Sequence, residues 1–219
     1  MSSHNAPNAE NPHKLLRVYK EAVEALRGRD LRTQVAAAGY DWHPESITVR
    51  FLGRDYLLSI SELDLVPRAG GTDTSVGAAN PDTFADRILI LHYLLKASGT
   101  PLSGRLVGFD QLAGGRFYGS AFRKRTELPL ASLFSKDPGG LVQAAVRLGG
   151  TQGGHGSASA LLTPLPRVPM TLIVWAGDDE LPANAKVLFD DTAEEYLTTE
   201  DIAVLGDQVF RRMKDAFST

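Results

Sequence analysis

The stretch ASALLTPLPRVPMTLIVWAG, residues 158–177, decides the fold. Two runs rich in apolar residues flank a short proline-containing segment, which predicts two strands joined by a turn. A third apolar run, AKVLFD at residues 185–190, predicts another strand soon afterwards. Strands joined by short connections pair antiparallel, because a parallel pair needs a long crossover. The C-terminal half is therefore predicted to contain antiparallel strands rather than βαβ units.

A second hairpin is predicted in ESITVRFLGRDYLLSI, residues 45–60. Apolar and polar residues alternate on both sides of Gly53 and Arg54, which we expect to form the turn. Between this hairpin and the next helix lies PRAGGTDTSVGAANP, residues 67–81, a predicted loop rich in Gly, Ser, Thr and Pro. A loop of this length in a compact domain is typically mobile or functional.

Helices are predicted where apolar residues recur every three or four positions. Asn80 and Pro81 predict the start of the most apolar helix, and Thr198 or Thr199 predicts the start of the last one. The helical segments are residues 10–28, 31–39, 80–99, 129–150 with an interruption near Pro138, and 197–217. We therefore predict a single α+β domain over residues 12–219, with antiparallel hairpins packed against several helices, after a disordered tail at residues 1–11.

Composition excludes several classes of function. The 219 residues include no cysteine, which rules out disulfides, iron–sulfur clusters bound by the chain itself and a cysteine nucleophile. A net charge of −3 gives no electrostatic case for nucleic acid binding. Since neither a secretory signal nor an apolar run long enough to span a bilayer is present, we expect a soluble, cytoplasmic protein with no membrane contact.

Charge is divided unevenly along the chain. From Met170 onward, eleven acidic and four basic residues give a net charge of −7, and the remainder carries +4. An acidic C-terminal part can dock a basic partner, although solvation of a terminal helix explains many such asymmetries.

Two familiar catalytic motifs are near misses. The segment GTPLSGRL, residues 99–106, has the glycines of a phosphate-binding loop but carries Arg105 and Leu106 where Lys and Ser or Thr are needed. The segment GHGSAS, residues 154–159, lacks the spacing of a nucleophile elbow. Neither a phosphate-binding P-loop nor a serine hydrolase is indicated.

Carboxylates cluster after the predicted strand that ends near Trp175. Asp178, Asp179 and Glu180 occupy one turn, and Asp190 follows the next strand. Oxygen ligands of this kind suit Mg²⁺ or Ca²⁺. The first interpretation is nevertheless structural, because acidic residues in turns accept hydrogen bonds from nearby backbone N–H groups. The second interpretation is a divalent metal site formed by Asp178, Asp179, Glu180 and Asp190.

Two histidines are candidate ligands. His92 lies on the apolar helix, where a histidine is most simply a core residue with one hydrogen bond. His155 lies between glycines, which let a ligand approach the backbone closely, although a flexible surface loop explains it equally simply.

Basic and aromatic residues alternate in GGRFYGSAFRKR, residues 114–125. Guanidinium groups bind carboxylates in a bidentate manner, so Arg116 and Arg123 beside Tyr118 suit an anionic ligand. The alternative is a solvated helix face.

Taken together, four segments resemble a prokaryotic domain-of-unknown-function family over residues 51–206. The segments are His92-Tyr93-Leu94, Gly114-Gly115 with Phe117-Tyr118, the turn at 175–180, and residues 188–190 with Glu200-Asp201. The resemblance implies a link to anaerobes and to corrinoid or one-carbon metabolism. Some members resemble fusions to a Cys-rich iron–sulfur segment, a role for which this cysteine-free chain would need a separate partner.

Three hypotheses follow. The first is an accessory protein that binds a small anionic or tetrapyrrole-like ligand in one pocket. The second is an enzyme that uses a divalent metal at the acidic 178–191 segment, and the third is a protein–protein adaptor with an acidic docking face. The ligand-binding residues expected under the first hypothesis are His92, Tyr93, Arg116, Tyr118, Arg123, His155 and Trp175.

Overall fold

A computed structural model describes residues 12–68 and 81–219. The predicted tail at residues 1–11 lies outside the described residues, as do most of the predicted loop at 67–81 and the predicted cap Asn80.

The described residues form an α+β fold, as the sequence predicted. The helices are α1 (Pro12–Arg27), α2 (Leu31–Ala37), α3 (Pro81–Lys96), α4 (Gly115–Phe122), α5 (Leu128–Phe134), α6 (Gly139–Arg147) and α7 (Thr199–Ser218). The strands are β1 (Ser46–Phe51), β2 (Arg54–Ser59), β3 (Leu65–Pro67), β4 (Leu106–Gly108), β5 (Thr151–Gln152), β6 (Ala158–Leu165), β7 (Val168–Trp175) and β8 (Asn184–Asp190). Short 3-10 helices cover Phe109–Gln111 and Ala193–Glu195, and a π-helical turn, Arg123–Glu127, joins α4 to α5.

Both sheets of the described chain are antiparallel. The smaller has the order β1-β2-β3, and the larger has the order β4-β8-β7-β6-β5. The predicted hairpin of residues 158–177 is present, because Leu165 pairs with Val168 across the tight turn. Strand β7 also pairs with β8, with Trp175 opposite Asn184. The larger sheet is thus built around the segment that the sequence singled out.

The β1–β2 turn differs from the prediction by one residue. Phe51 pairs with Arg54, so the turn consists of Leu52 and Gly53 rather than Gly53 and Arg54. Both turn residues have positive φ, +45° for Leu52 and +77° for Gly53, as tight hairpin turns require. Leucine at such a position costs about 1–2 kcal/mol, and burial of the Leu52 side chain, which is only 4% exposed, offsets that cost.

Helix α7 is the central helix of the fold. It contacts α3, α4, α5 and α6, and α3 in turn contacts α1 and the smaller sheet. Its predicted apolar stripe is confirmed, since the side chains facing the core are fully buried: Ile202, Leu205, Val209 and Met213. No helix among the described residues is long and apolar enough to cross a membrane.

A buried ion pair joins α3 to α7. Asp86 is fully buried, and its Oδ2 accepts hydrogen bonds from the Arg212 guanidinium and, at 2.6 Å, from the Tyr56 hydroxyl. Burial raises the pKa of Asp86, and the positive charge of Arg212 opposes that shift. Since Tyr56 belongs to β2, three elements that are distant in sequence meet at one carboxylate.

Replacing the buried carboxylate is expected to be costly. Asp86→Asn keeps the side-chain shape but leaves Arg212 as an uncompensated buried charge, which lowers the free energy of unfolding by about 3 kcal/mol or more. Urea denaturation measures this loss. The matched control is Glu21→Gln, which removes the exposed Arg17–Glu21 pair and is expected to cost less than about 1 kcal/mol. Equal losses in the two variants would contradict the role given to Asp86.

Candidate functional site

Helices α3 and α7 run antiparallel, and polar contacts join them at two levels. Asp86, near the start of α3, pairs with Arg212, near the end of α7. His92, about 9 Å further along α3, pairs with Asp201 in the first turn of α7. The packing of these helices therefore brings the candidate His92 to a helix start that lies 109 residues away in sequence.

The His92–Asp201 contact fixes the imidazole. His92 Nδ1 lies 2.7 Å from Asp201 Oδ1, while Asp201 Oδ2 accepts a hydrogen bond from the Thr198 hydroxyl at 2.7 Å. Burial acts to raise the pKa of Asp201, but the hydrogen bonds from His92 and Thr198 outweigh it, so this pKa is lowered. An ionised carboxylate can only accept, so Nδ1 carries the hydrogen and neutral His92 keeps a lone pair on Nε2.

Tyr118 reaches the same helix start from α4. Its hydroxyl donates to Glu200 Oε1 at 3.2 Å. Glu194 ties the two segments together, because it accepts from the Ala113 N–H and from the Thr199 hydroxyl, each at 2.8 Å. His92 and Tyr118 therefore approach the first turn of α7 from two different helices.

The two glycines at the start of α4 permit this close approach. A Cβ on Gly114 would lie 2.9 Å from Thr199 Oγ1, and one on Gly115 would lie 1.7 Å from the Phe109 carbonyl oxygen. A side chain at either position would push α4 away from its neighbours. The helix with His92, the Gly-Gly-aromatic segment and the Glu200-Asp201 pair, which the sequence marked separately, thus converge. We call His92, Asp201, Tyr118 and Glu200 the α7 site.

Tyr93, a predicted ligand contact, is instead a core residue. It is fully buried, donates to the Ala38 carbonyl at 2.5 Å and accepts from the Arg167 N–H at 3.1 Å. Its ring stacks on Tyr196 at a centroid distance of 5.8 Å. Apolar residues flank Tyr93 along α3, which explains why its side chain is buried.

Among the described residues, neither Arg116 nor Arg123 forms a hydrogen bond or ion pair with the α7 site. Successive helical residues are about 100° apart, so Arg116 projects from a different side of α4 than Tyr118, which faces α7. A local backbone hydrogen bond lowers the pKa of Asp110, which precedes α4, and the positive charge of Arg116 lowers it further. Arg123 is exposed. The basic residues and His92 are therefore not combined in one site.

His155 and Trp175 belong to neighbouring segments at the end of the larger sheet where β8 begins. The loop with His155 is tied to the end of β7, because Ser157 N–H donates to the Val174 carbonyl and the Ala176 N–H donates to the Ser157 hydroxyl, both at 2.9 Å. Among the described residues, no hydrogen bond or ion pair joins His155 or the 175–180 turn to His92. The contacts therefore do not bring these three candidates together.

The four predicted metal ligands do not converge either. Asp178 Oδ1 accepts from the backbone N–H groups of Glu180 at 2.9 Å and Leu181 at 2.7 Å, which lowers the pKa of Asp178. Asp190 lies at the opposite end of β8, where its oxygens accept from Gly104 N–H and the Thr192 hydroxyl. Within residues 12–68 and 81–219 no group of three or more His, Asp or Glu residues is arranged to hold a metal ion. The structural interpretation of Asp178 is confirmed.

An open cleft lies elsewhere. Its volume is about 590 Å³, and its lining comes from the segment between α2 and β1 together with the start of β1: Gly39, Tyr40, Asp41, His43, Pro44, Glu45, Ser46 and Thr48. The predicted ligand-binding residues are not part of this lining. The cleft is polar and lacks the apolar walls typical of a cofactor pocket.

These features define an α+β protein in which a histidine–carboxylate pair is held between two antiparallel helices. Residues 30–212 match the model of the family described as domain of unknown function DUF3786, and the chain belongs to that family. No curated protein and no solved structure matches the chain.

The pKa of Asp201 tests the helix contact. His92→Leu removes the imidazole hydrogen bond but keeps the carboxyl group covered, so the pKa of Asp201 should rise. Carbon-detected NMR of the carboxyl groups measures it, and His155→Leu is the matched control. Because the folded pKa is lowered, the stability that Asp201 contributes is present above its unfolded value of about 3.9 and is lost as pH falls through the folded value. An unchanged pKa in His92→Leu would show that the pair does not form.

Proposed function

We propose that the protein is a cytoplasmic accessory protein that binds a metal-bearing, tetrapyrrole-like ligand through Nε2 of His92. The observation that carries this proposal is the hydrogen bond between His92 Nδ1 and Asp201. Histidines that bind metals almost always donate their other ring N–H to a carboxylate, a carbonyl group or a water, which sets the tautomer and increases the basicity of the free nitrogen. The imidazole is 30% exposed, and the proposal takes the Nε2 edge to be the part open to solvent.

The surroundings of His92 favour a metal-bearing ligand over a small free anion. Glu194, Glu200 and Asp201 are gathered around the start of α7, and a free carboxylate or phosphate would be repelled by them. A neutral imidazole, in contrast, binds a metal centre by its lone pair. The sequence also left a small anionic ligand open. The arginines that suit such a ligand, Arg116 and Arg123, are not part of the α7 site.

Tyr118 and Lys96 supply secondary contacts in this proposal. The Tyr118 side chain is 45% exposed, which leaves ring surface for packing against a planar ligand. Lys96 is exposed and lies one turn after His92 on α3, where it can meet a peripheral carboxylate or amide of the ligand. A corrinoid is the member of this class that the family resemblance favours, and the metal would supply the chemistry of the bound ligand.

Spectral titration with hemin and with aquocobalamin tests the proposal. At least one of the two should give a saturable visible-absorption change at a ratio of one ligand per chain, and His92→Leu should abolish the change. Asp201→Asn keeps a capping side chain but removes the carboxylate that orients His92, and should weaken binding about 10–100-fold.

His155→Leu is the matched control, because His155 is an exposed histidine that forms no hydrogen bond or ion pair with the α7 site. It should bind like the wild-type protein. Identical spectra for wild-type and His92→Leu proteins, or no saturable change with either compound, would contradict the proposal.

A further inference from the structure

An exposed apolar and basic surface lies on the outer side of α4 and the π-helical turn. Phe117 is 88% exposed and Leu128 is 43% exposed. Arg123 and Lys124 lie between them, both exposed, and within the described chain neither forms an ion pair. The next residue, Arg125, pairs instead with Asp207. We call Phe117, Arg123, Lys124 and Leu128 the basic face.

The π-helical turn anchors the basic face to the larger sheet. It turns Thr126 and Glu127 inward, where both are buried. Glu127 Oε1 accepts the Val187 N–H of β8 at 3.2 Å and lies 3.5 Å from Lys186 Nζ. Because a buried carboxylate fixes this segment, the outward direction of Phe117 and Lys124 is set by the fold and not by fraying of a helix end.

A second surface has the opposite charge. In the turn between β7 and β8, the Asp178 carboxylate accepts hydrogen bonds from backbone N–H groups. The N–H of Asp178 closes the turn by donating to the Leu181 carbonyl at 2.9 Å. Asp179 and Glu180 are therefore free to face solvent. Leu181 is 67% exposed and Trp175, at the base of the turn, is 40% exposed. We call Trp175, Asp179, Glu180 and Leu181 the acidic turn.

The two surfaces lie on either side of Lys186. This residue is two positions after Asn184, where β8 begins at the acidic turn, and its Nζ lies 3.3 Å from Asp110 Oδ1 beside the start of α4. Each surface combines large exposed apolar side chains with two charges of one sign. They are complementary to each other, but within one chain both point to solvent.

We infer that the basic face of one copy binds the acidic turn of a second copy, and the reverse, in a two-fold symmetric dimer. A two-fold axis brings two neighbouring, complementary surfaces together twice. Phe117 and Trp175 then supply the aromatic anchors that are enriched at interface centres, with charged residues around them. Because the contact occurs twice, the area that each copy buries comes closer to the roughly 800 Å² per partner of a stable interface.

Sedimentation velocity at low and high salt tests the dimer. The wild-type protein should be dimeric at micromolar concentration in low salt and should dissociate as salt screens the charged contacts. Reversing the basic face (Arg123→Glu with Lys124→Glu) or the acidic turn (Asp179→Lys with Glu180→Lys) should raise the dissociation constant about tenfold or more, because like charges then meet. Phe117→Ser should have a similar effect without a change of charge.

The decisive experiment mixes the two charge-reversed proteins. In the mixed pair, the reversed helix of one copy meets the reversed turn of the other, and both remaining surfaces are native. The mixture should therefore form a heterodimer although each variant alone is monomeric. Lys20→Glu, an exposed charge reversal on α1, is the control and should leave the wild-type dimer intact.

A wild-type protein that is monomeric in low salt would overturn the inference. So would charge-reversed variants that dimerise as tightly as the wild-type protein, or a mixture that associates no more tightly than either variant alone. Circular dichroism shows that each variant is folded before it is compared.

Discussion

The fully buried carboxylate of Asp86 is the constraint on which the rest of this structure depends. A charge removed from water must be paired, and the partner here is Arg212, 126 residues later in the chain. The contact between the Asp86 carboxylate and the Arg212 guanidinium fixes how α3 lies against α7. The Tyr56 hydroxyl adds β2 to the same point, so the smaller sheet, α3 and α7 share one anchor. Hydrophobic burial supplies the stability of the core, while this polar contact selects one arrangement of the two helices.

The α7 site follows from that arrangement. With the helices antiparallel and Asp86 against Arg212, His92 comes to the first turn of α7, where Asp201 already serves in the cap of the helix. One carboxylate oxygen binds Thr198 and the other binds His92, so capping and imidazole orientation use the same side chain. The outer surface of α4 and the turn after β7 lie outside this site, so the proposed ligand site and the proposed contact between copies use different residues.

Local patterns predicted the elements well. Two apolar runs around a proline-containing turn in residues 158–177 predicted the central hairpin, and the hydrogen bonds that Asp178 accepts from its own turn followed from turn chemistry. The β1–β2 turn was misplaced by one residue because burial of Leu52 overrides the rule that disfavours leucine at positive φ. The π-helical turn Arg123–Glu127 was not predicted from the sequence.

Long-range contacts could not be predicted in the same way. His92 was a candidate from its residue type, but nothing near it in sequence indicates Asp201, and Tyr93 beside it is part of the core. The contacts do not support the expected shared pocket, because His92 and Tyr118 meet the start of α7, whereas His155 and Trp175 lie in segments at the end of the sheet where β8 begins. The acidic residues at 178–180 and Asp190 are separated by the same strand.

The most direct test of the account is the tautomer of neutral His92. A two-bond ¹H–¹⁵N correlation spectrum of the ¹⁵N-histidine-labelled protein, recorded on the alkaline side of the histidine titration, distinguishes the two ring nitrogens. The account predicts hydrogen on Nδ1 and an unprotonated Nε2, the reverse of the form that predominates for free histidine. A His92 signal with hydrogen on Nε2 would contradict both the pairing with Asp201 and the site built on it.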